Sequence, residues 1–251
     1  MSCYRVYALC YARRTGRRGQ NFCGYDEHWD EPHPTAYYVW LAVSDEHTVV
    51  VDTGIGPSRA DGFSDYVNPV RLVEDIGVRV GEVDRVVLTH LHYDHTGTAG
   101  SFPSARYVLQ QSEVDYWTGP WSSRISREQW LLDKEDLDAV LGSGRVDLVD
   151  GDAEVLPGLS VHLVGGHTAG MQVVRVATAR GPVVLASDAS HFYENIEDDR
   201  PFPILHSMPG MYAAFDRINA LAGDPSLVVA GHDPEVLRRF PAETERIARI
   251  A

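Results

Sequence analysis

Short apolar stretches, alternating or continuous, recur along the chain, and helical spacing fills the intervals between them. Strands are predicted at residues 3–11, 36–43, 47–52, 84–89, 105–109, 145–150, 159–165, 171–178, 182–187 and 226–230. The first rests on the alternation of Tyr4, Val6 and Ala8. The fourth contains the continuous run Val86-Val87-Leu88, which predicts a strand buried on both faces. Helices are predicted near 65–76, 111–118, 133–141, 210–222 and 234–249. In the fourth of these, Met211, Phe215, Ile218 and Leu221 share one helical face, while Arg217 and Asn219 fall elsewhere. Strands dominate each half and helices punctuate them. The fold class is therefore α+β, an αββα sandwich of two mixed sheets with helices outside.

No Pro/Ser linker or low-complexity run divides the 251 residues, so residues 1–251 read as a single domain. Lys+Arg 22 against Asp+Glu 36 gives a net charge of −14, which argues against nucleic acid or an anionic membrane as partner. Arg13, Arg14, Arg17 and Arg18 make a local basic cluster, read as a solvated hairpin turn around Gly16 and Gly19. Cys3, Cys10 and Cys23 form no CxxC pair and are odd in number. A reducing cytoplasm suits them better than a disulfide framework. Arg5 interrupts the start, so no secretory signal is expected, and no apolar run is long enough to span a membrane.

Candidate chemistry concentrates in residues 89–97, Thr-His-Leu-His-Tyr-Asp-His-Thr-Gly. Imidazole nitrogens and carboxylate oxygens are the ligands that zinc and other borderline divalent ions prefer. His90 and His92 flank one residue, so on an extended chain they point to the same side. Asp94 and His95 lie past the strand end, where a turn can aim them at a second ion. Further candidates follow later strands: His167 in Gly165-Gly166-His167-Thr168-Ala169-Gly170, Asp188 after Val183–Ser187, and His232 after Leu227–Gly231. A polar group at a strand end leaves the core and faces a cleft.

With these elements the chain resembles the metallo-β-lactamase-fold hydrolases, and is most similar there to the N-acyl homoserine lactonase-like group. The resemblance covers essentially the whole chain, including Val51-Asp52-Thr53-Gly54, the His-x-His-x-Asp-His motif, Gly-His-Thr-x-Gly, Asp188 and Gly231-His232. It implies that His90, His92 and His167 hold one metal, that Asp94, His95 and His232 hold another, and that Asp188 bridges them. The implied cofactor is a pair of divalent ions, zinc foremost, with iron, manganese or cobalt as alternatives. Two such ions lower the pKa of a shared hydroxide, which attacks the carbonyl of a small-molecule lactone or similar ester. A quorum-quenching role is the family implication, and a homodimer is an option. The group places a tyrosine three residues after the bridging aspartate, donating to the substrate carbonyl. Here that position is His191, which can offer the same hydrogen bond, with Tyr193 in reserve. Catalytic roles are thus expected of Asp94, His191 and Tyr193.

Alternatives within the fold are weighed by what the chain lacks. Asp188 argues against true β-lactamases, and the short stretch after His232 against glyoxalase II-type thioesterases. His92 argues against flavodiiron proteins, and the acidic charge against nucleases. Hydrolysis of another small ester, cyclic amide or thioester stays open. From other classes, a mononuclear iron persulfide dioxygenase also stays open, and a non-catalytic binding module is disfavoured by the complete ligand set. Asp52 is expected either to orient ligands or to cap its turn. The aromatic 20–35 stretch is expected to fold over the cleft or into a dimer contact, with Tyr116–Trp121 as a second wall. His28 and His33 are expected to stay outside the ligand set. The run Glu194, Asn195, Glu197, Asp198, Asp199 is read as a solvated loop.

Overall fold

The computed structural model describes residues 2–126 and 128–251. Two β-sheets face each other. The first has seven strands: β1 (Arg5–Arg17), β2 (Pro32–Val43), β3 (Thr48–Val51), β4 (Arg85–Val87), β5 (Arg106–Gln110), β6 (Val146–Val149) and, at the other edge, the chain's last strand, Ile247–Arg249. The second has five: β7 (Ala153–Leu156), β8 (Leu159–Leu163), β9 (Gln172–Thr178), β10 (Gly181–Ser187) and β11 (Val228–Ala230). Counting Ile247–Arg249 as β12, the orders are β12-β1-β2-β3-β4-β5-β6 and β11-β10-β9-β8-β7. Both sheets are mixed, because β3 to β6 run parallel beside antiparallel partners and β10 to β11 is a parallel pair among antiparallel ones. The αββα arrangement read from the pattern is therefore the observed one.

Both faces of the first sheet are buried, which explains its near-continuous apolar strands. Val6, Ala8, Cys10, Tyr38, Trp40 and Val51 point toward the second sheet and join Val161, Val173 and Val183 there. Their neighbours Tyr7, Leu9, Val39, Leu41 and Val50 point outward. Helices cover that outer face: α1 (Pro69–Asp75), α3 (Gln111–Thr118) and α4 (Lys134–Gly142), through Leu72, Val114, Trp117, Leu137 and Val140, with the single turn α2 (Tyr93–Thr96) between α1 and α3. Beyond the short α5 (Tyr193–Glu197), α6 (Met208–Ala222) lies on the second sheet and buries Met211, Phe215 and Ile218. Ser207 caps it by accepting from the Gly210 amide, and Gly223 ends it in the left-handed conformation. The last helix, α7, covers only Val236–Arg239.

Three expectations need correction and one strand was missed. The helix predicted over 234–249 stops at Arg239; Pro241 follows, and residues 247–249 pair with β1 instead. Strand β7 was not predicted. The basic cluster is no solvated turn: Arg13, Arg14 and Arg17 extend β1, which pairs with β2 as far as Arg17↔Pro32, and Arg18 is part-buried between Asp26 and Glu194. The acidic run is a solvated loop only in part: Glu194 lies in α5, ion-paired with Arg18 and Arg200, and Asn195 is buried, whereas Glu197, Asp198 and Asp199 are exposed. All three cysteines are free, and among the described residues no helix is long and apolar enough to cross a membrane.

Candidate metal centre

The candidate ligands all sit just past strand ends on one rim shared by the two sheets. His90 and His92 follow β4, and α2 starts immediately afterwards, so Asp94 and His95 project from its single turn. His167 lies in the β8–β9 connection, Asp188 and His191 follow β10, and His232 follows β11. Two strand ends turn through the left-handed backbone region at non-glycine residues, Asp52 (φ 58) and Ser187 (φ 44). Such conformations cluster where surrounding structure enforces them, commonly at functional sites. Gly231 is required by close packing: a Cβ there would sit 2.4 Å from the Ser187 carbonyl oxygen.

Asp188 is the centre of this arrangement. Its Oδ1 lies 2.9 Å from His232 Nε2 and 3.2 Å from His95 Nε2. Its Oδ2 lies 3.4 Å from His167 Nε2, 3.9 Å from His90 Nε2 and 2.9 Å from His191 Nε2. One oxygen thus faces the His95/His232 side and the other faces the His90/His167 side. The donor atoms of His90, His92, His167 and Asp188 converge within 4.8 Å, as do those of Asp94, His95 and His232. A third such group, Asp188, His191 and His232, places His191 closer to the donors than the motif suggested.

Hydrogen bonds on the far side of the rings fix the tautomers. His95 Nδ1–H donates to Asp52 Oδ2 at 2.8 Å, His167 Nδ1–H to the Ile204 carbonyl at 2.7 Å, and His232 Nδ1–H to the Ala36 carbonyl at 3.0 Å. Each Nε2 is thereby aimed inward, as a lone pair at His167 and toward Asp188 Oδ1 at His95 and His232, where a metal would replace the proton. His92 Nδ1 and His167 Nε2 face each other at 3.1 Å, and the second of these carries no proton to give. Nε2 of His90 and of His95 are buried with no hydrogen-bond partner among the described residues. Converging unpartnered lone pairs in a buried site are costly unless a cation satisfies them, so these residues fit divalent metal.

Charge and burial act in the same sense. Burial, with the neighbouring imidazoles, pushes His90 and His92 well below the usual histidine range, and burial takes His167 down to about 3. These rings are neutral, the form that binds metal. Burial also disfavours charge on His95, but Asp188, Asp52 and Asp94 outweigh it and draw its pKa well up. At Asp188 burial is likewise overcome, here by His191, His232 and His95, which hold the carboxyl well below its ordinary range.

Asp52 takes the orienting role, and among the described residues none of its side-chain hydrogen bonds goes to its own turn at Thr53-Gly54. It is fully buried, accepts from the Thr89 amide at 2.8 Å and from the Ser187 hydroxyl at 3.1 Å, and orients His95. Sequence reasoning passed over Glu113. From the first turn of α3, its carboxylate accepts from Leu91 N (3.0 Å), Gly170 N (2.7 Å) and Trp117 Nε1 (2.8 Å). Leu91 lies between two candidate ligands and Gly170 closes the loop of a third, so one buried carboxylate staples both loops together. Only glycine fits at 170, where a Cβ would come within 2.3 Å of the Glu113 amide. In the mixed polar and apolar helix Gln111–Thr118 an acidic residue gives no signal for this role.

A cavity of about 200 Å³ opens over the centre. His191 lines it, its ring stacked on Phe202 at 3.6 Å. Tyr193 does not line it. Its ring is packed in the inter-sheet core beneath the Arg239 guanidinium, which removes it as a reserve donor to substrate. The second wall also differs from expectation, being Trp130 and Leu131, whereas Trp121 is exposed and Tyr116 borders a smaller adjoining pocket. From the 20–35 stretch, Gln20, Asn21 and Thr35 reach the cavity, while His28 and His33 stay outside the donor groups.

The Metallo-beta-lactamase superfamily model matches residues 32–232, from β2 through the last candidate ligand. The chain belongs to the metallo-beta-lactamase superfamily. Among curated members, it is 25% identical to an N-acyl homoserine lactonase of Bacillus thuringiensis, across 85% of this chain and 84% of that protein. It is 29% identical to the N-acyl homoserine lactonase AttM of Agrobacterium fabrum, across 69% of this chain and 66% of that one. An N-acyl homoserine lactone hydrolase solved with the product N-hexanoyl-L-homoserine at its catalytic metal centre superposes with a TM-score of 0.79 at 21% identity, covering 97% of this chain and 98% of that one. AidC, a dizinc quorum-quenching lactonase, superposes at 0.75 with 15% identity over 99% and 97%. This superfamily member has the fold of those lactonases and a His/Asp cluster suited to two metals.

Proposed function

We propose that this protein is a dinuclear-metal hydrolase that opens a lactone or similar small cyclic ester, and that residues 1–251 act as one domain. The observation that carries the reading is Asp188, whose two carboxylate oxygens face two separate sets of imidazole donors. His90, His92 and His167 would hold one ion, Asp94, His95 and His232 the other, and Asp188 both, with zinc the first candidate because the donors are nitrogen and carboxylate oxygen. When bound, the two ions supply an activated water and polarise the ester carbonyl.

The chain's own groups do the rest. Asp52, Ile204 and Ala36 keep the ligand rings in their metal-binding tautomers. Trp130, Leu131, Phe202 and Ile204 exclude water from one side of the cavity. His191 lies on the wall beside Asp188 and is assigned the hydrogen bond to the substrate carbonyl oxygen. Its Nε2 is 2.9 Å from Asp188 Oδ2, so the ring's one N–H faces the carboxylate here and would turn to the substrate carbonyl oxygen once Asp188 holds metal.

The two curated relatives described above are named for lactone hydrolysis, and that supports the substrate class. A cytoplasmic location suits the three free cysteines. The test is a panel of lactones, linear esters and thioesters assayed with the metal-loaded protein. Ring opening faster than linear ester or thioester cleavage is the expected result; preference for a thioester, or oxygen uptake with a persulfide, would replace this reading.

A further inference from the structure

Strand β1 carries a bulge between Cys10 and Ala12. Before it, Val6, Ala8 and Cys10 point between the sheets and Tyr7, Leu9 and Tyr11 point outward. A bulge adds one residue and shifts which side chains share a face. Tyr11 and Ala12 therefore both belong to the outer face. Past the bulge the cross-strand partners are Ala12↔Tyr37, Arg14↔Thr35 and Gly16↔His33. Arg14, Gly16, Thr35 and Tyr37 all line the cavity. Without the bulge the parity would bring Arg13 round in place of Arg14.

The other three arginines of this cluster have carboxylate partners: Arg13 with Asp65, Arg17 with Asp30, and Arg18 with Asp26 and Glu194. Arg14 has no ion-pair partner among the described residues, in a chain of net charge −14. Among the described residues it is the cavity lining's single Lys or Arg. The lining's carboxylates are Asp94 and Asp188, both proposed above as metal ligands and so committed elsewhere. Arg14 lines the cavity beside its cross-strand partner Thr35. Gln20 and Asn21 add further polar groups to the lining.

We propose that Arg14 is a specificity residue that binds a carboxylate on the substrate, so that the preferred substrate is a small lactone or ester bearing an acid group remote from the ring. The cavity's size supports a compact molecule. A space of about 200 Å³ takes a ring and a short arm, below the usual range for larger ligands. The guanidinium offers a fork of N–H donors that a carboxylate accepts at two oxygens.

The proposal rests on the hydrolase reading for its substrate but is testable apart from it. In the first arm, the metal-loaded protein is given two lactones that share a ring and arm, one arm ending in carboxylate and the other in primary amide. The wild type should favour the acid in kcat/KM by about tenfold to a hundredfold, chiefly through KM, as a charge-assisted pair allows. Arg14→Gln should bring that ratio close to one and Arg14→Lys should retain part of it. In the second arm, binding of glutarate and of its monoamide is measured by calorimetry, which needs no turnover. Wild type should bind glutarate about tenfold more tightly, and Arg14→Gln should bind the two alike. If neither lactone is opened yet the glutarate preference depends on Arg14, the hydrolase reading fails and the acid-binding site stands. Equal handling of acid and amide by wild type in both arms, or a preference unaltered in Arg14→Gln, overturns the proposal.

Discussion

Nδ1 of His95 lies 2.8 Å from Oδ2 of Asp52, and both side chains are buried at the rim between the sheets. The carboxylate also accepts from the Thr89 amide and hydroxyl and from Ser187, which join β4 and β10 to the end of β3. Replacing Asp52 by Asn exchanges one acceptor oxygen for a donor and loosens the grip on the His95 tautomer. Metal affinity should fall about 10- to 100-fold, the usual cost of losing such a partner. Competitive chelator titration checks it; unchanged affinity would leave Asp52 only the role of tying the strand ends together through Thr89 and Ser187.

His191→Ala should lower kcat by roughly 10²–10³, as when an oxyanion donor is removed. His191→Tyr should recover part of that rate. If His191 only steadies Asp188, the alanine variant will instead lose metal affinity and thermal stability with kcat close to wild type once loaded, which chelator titration and melting curves distinguish.

Glu113→Gln places an amide donor against at least one of the three donors that the carboxylate now satisfies. A buried donor left without an acceptor costs about 1–3 kcal/mol. Glu113→Ala should cost more, leaving Leu91, Gly170 and Trp117 without their acceptor and opening the loops that carry His92 and His167. Denaturant melts of the metal-free variants measure both.

The central motif was readable from sequence because its residue types are scarce and its spacing local, as with His90, His92, Asp94 and His95 in six positions. Strand positions held for the same reason, since buried strands announce themselves by apolar runs. What escaped depends on partners distant in the chain. Residues 247–249 become a strand through pairing with β1, and Glu113 matters through loops at Leu91 and Gly170. Tyr193 lies only two residues past His191, yet α5 begins there and turns its ring into the core. Arg14 and Arg13 were indistinguishable until the bulge set which of them faces the cavity.

Asp136 provides a pH test. Burial and the nearby Asp133 raise its carboxyl to about 6, while a hydrogen bond from Thr96 opposes the rise. A raised folded-state pKa means that the native protein binds this proton more tightly than the unfolded chain does. The favourable contribution is complete below the ordinary carboxyl range and is lost as pH rises through about 6. Asp136→Asn should therefore raise Tm relative to wild type at pH 8, with the gain shrinking toward pH 4. A constant difference across that range would show that the carboxyl's ionisation is not involved.

The most direct test of the dinuclear reading is ring opening followed by NMR while metal-free protein is titrated with zinc. Activity should stay low through the first equivalent and reach its plateau only at two equivalents per chain, with the ring-opened hydroxy acid as the sole product. Full activity at one equivalent, or no opening of any lactone at two, would contradict the account.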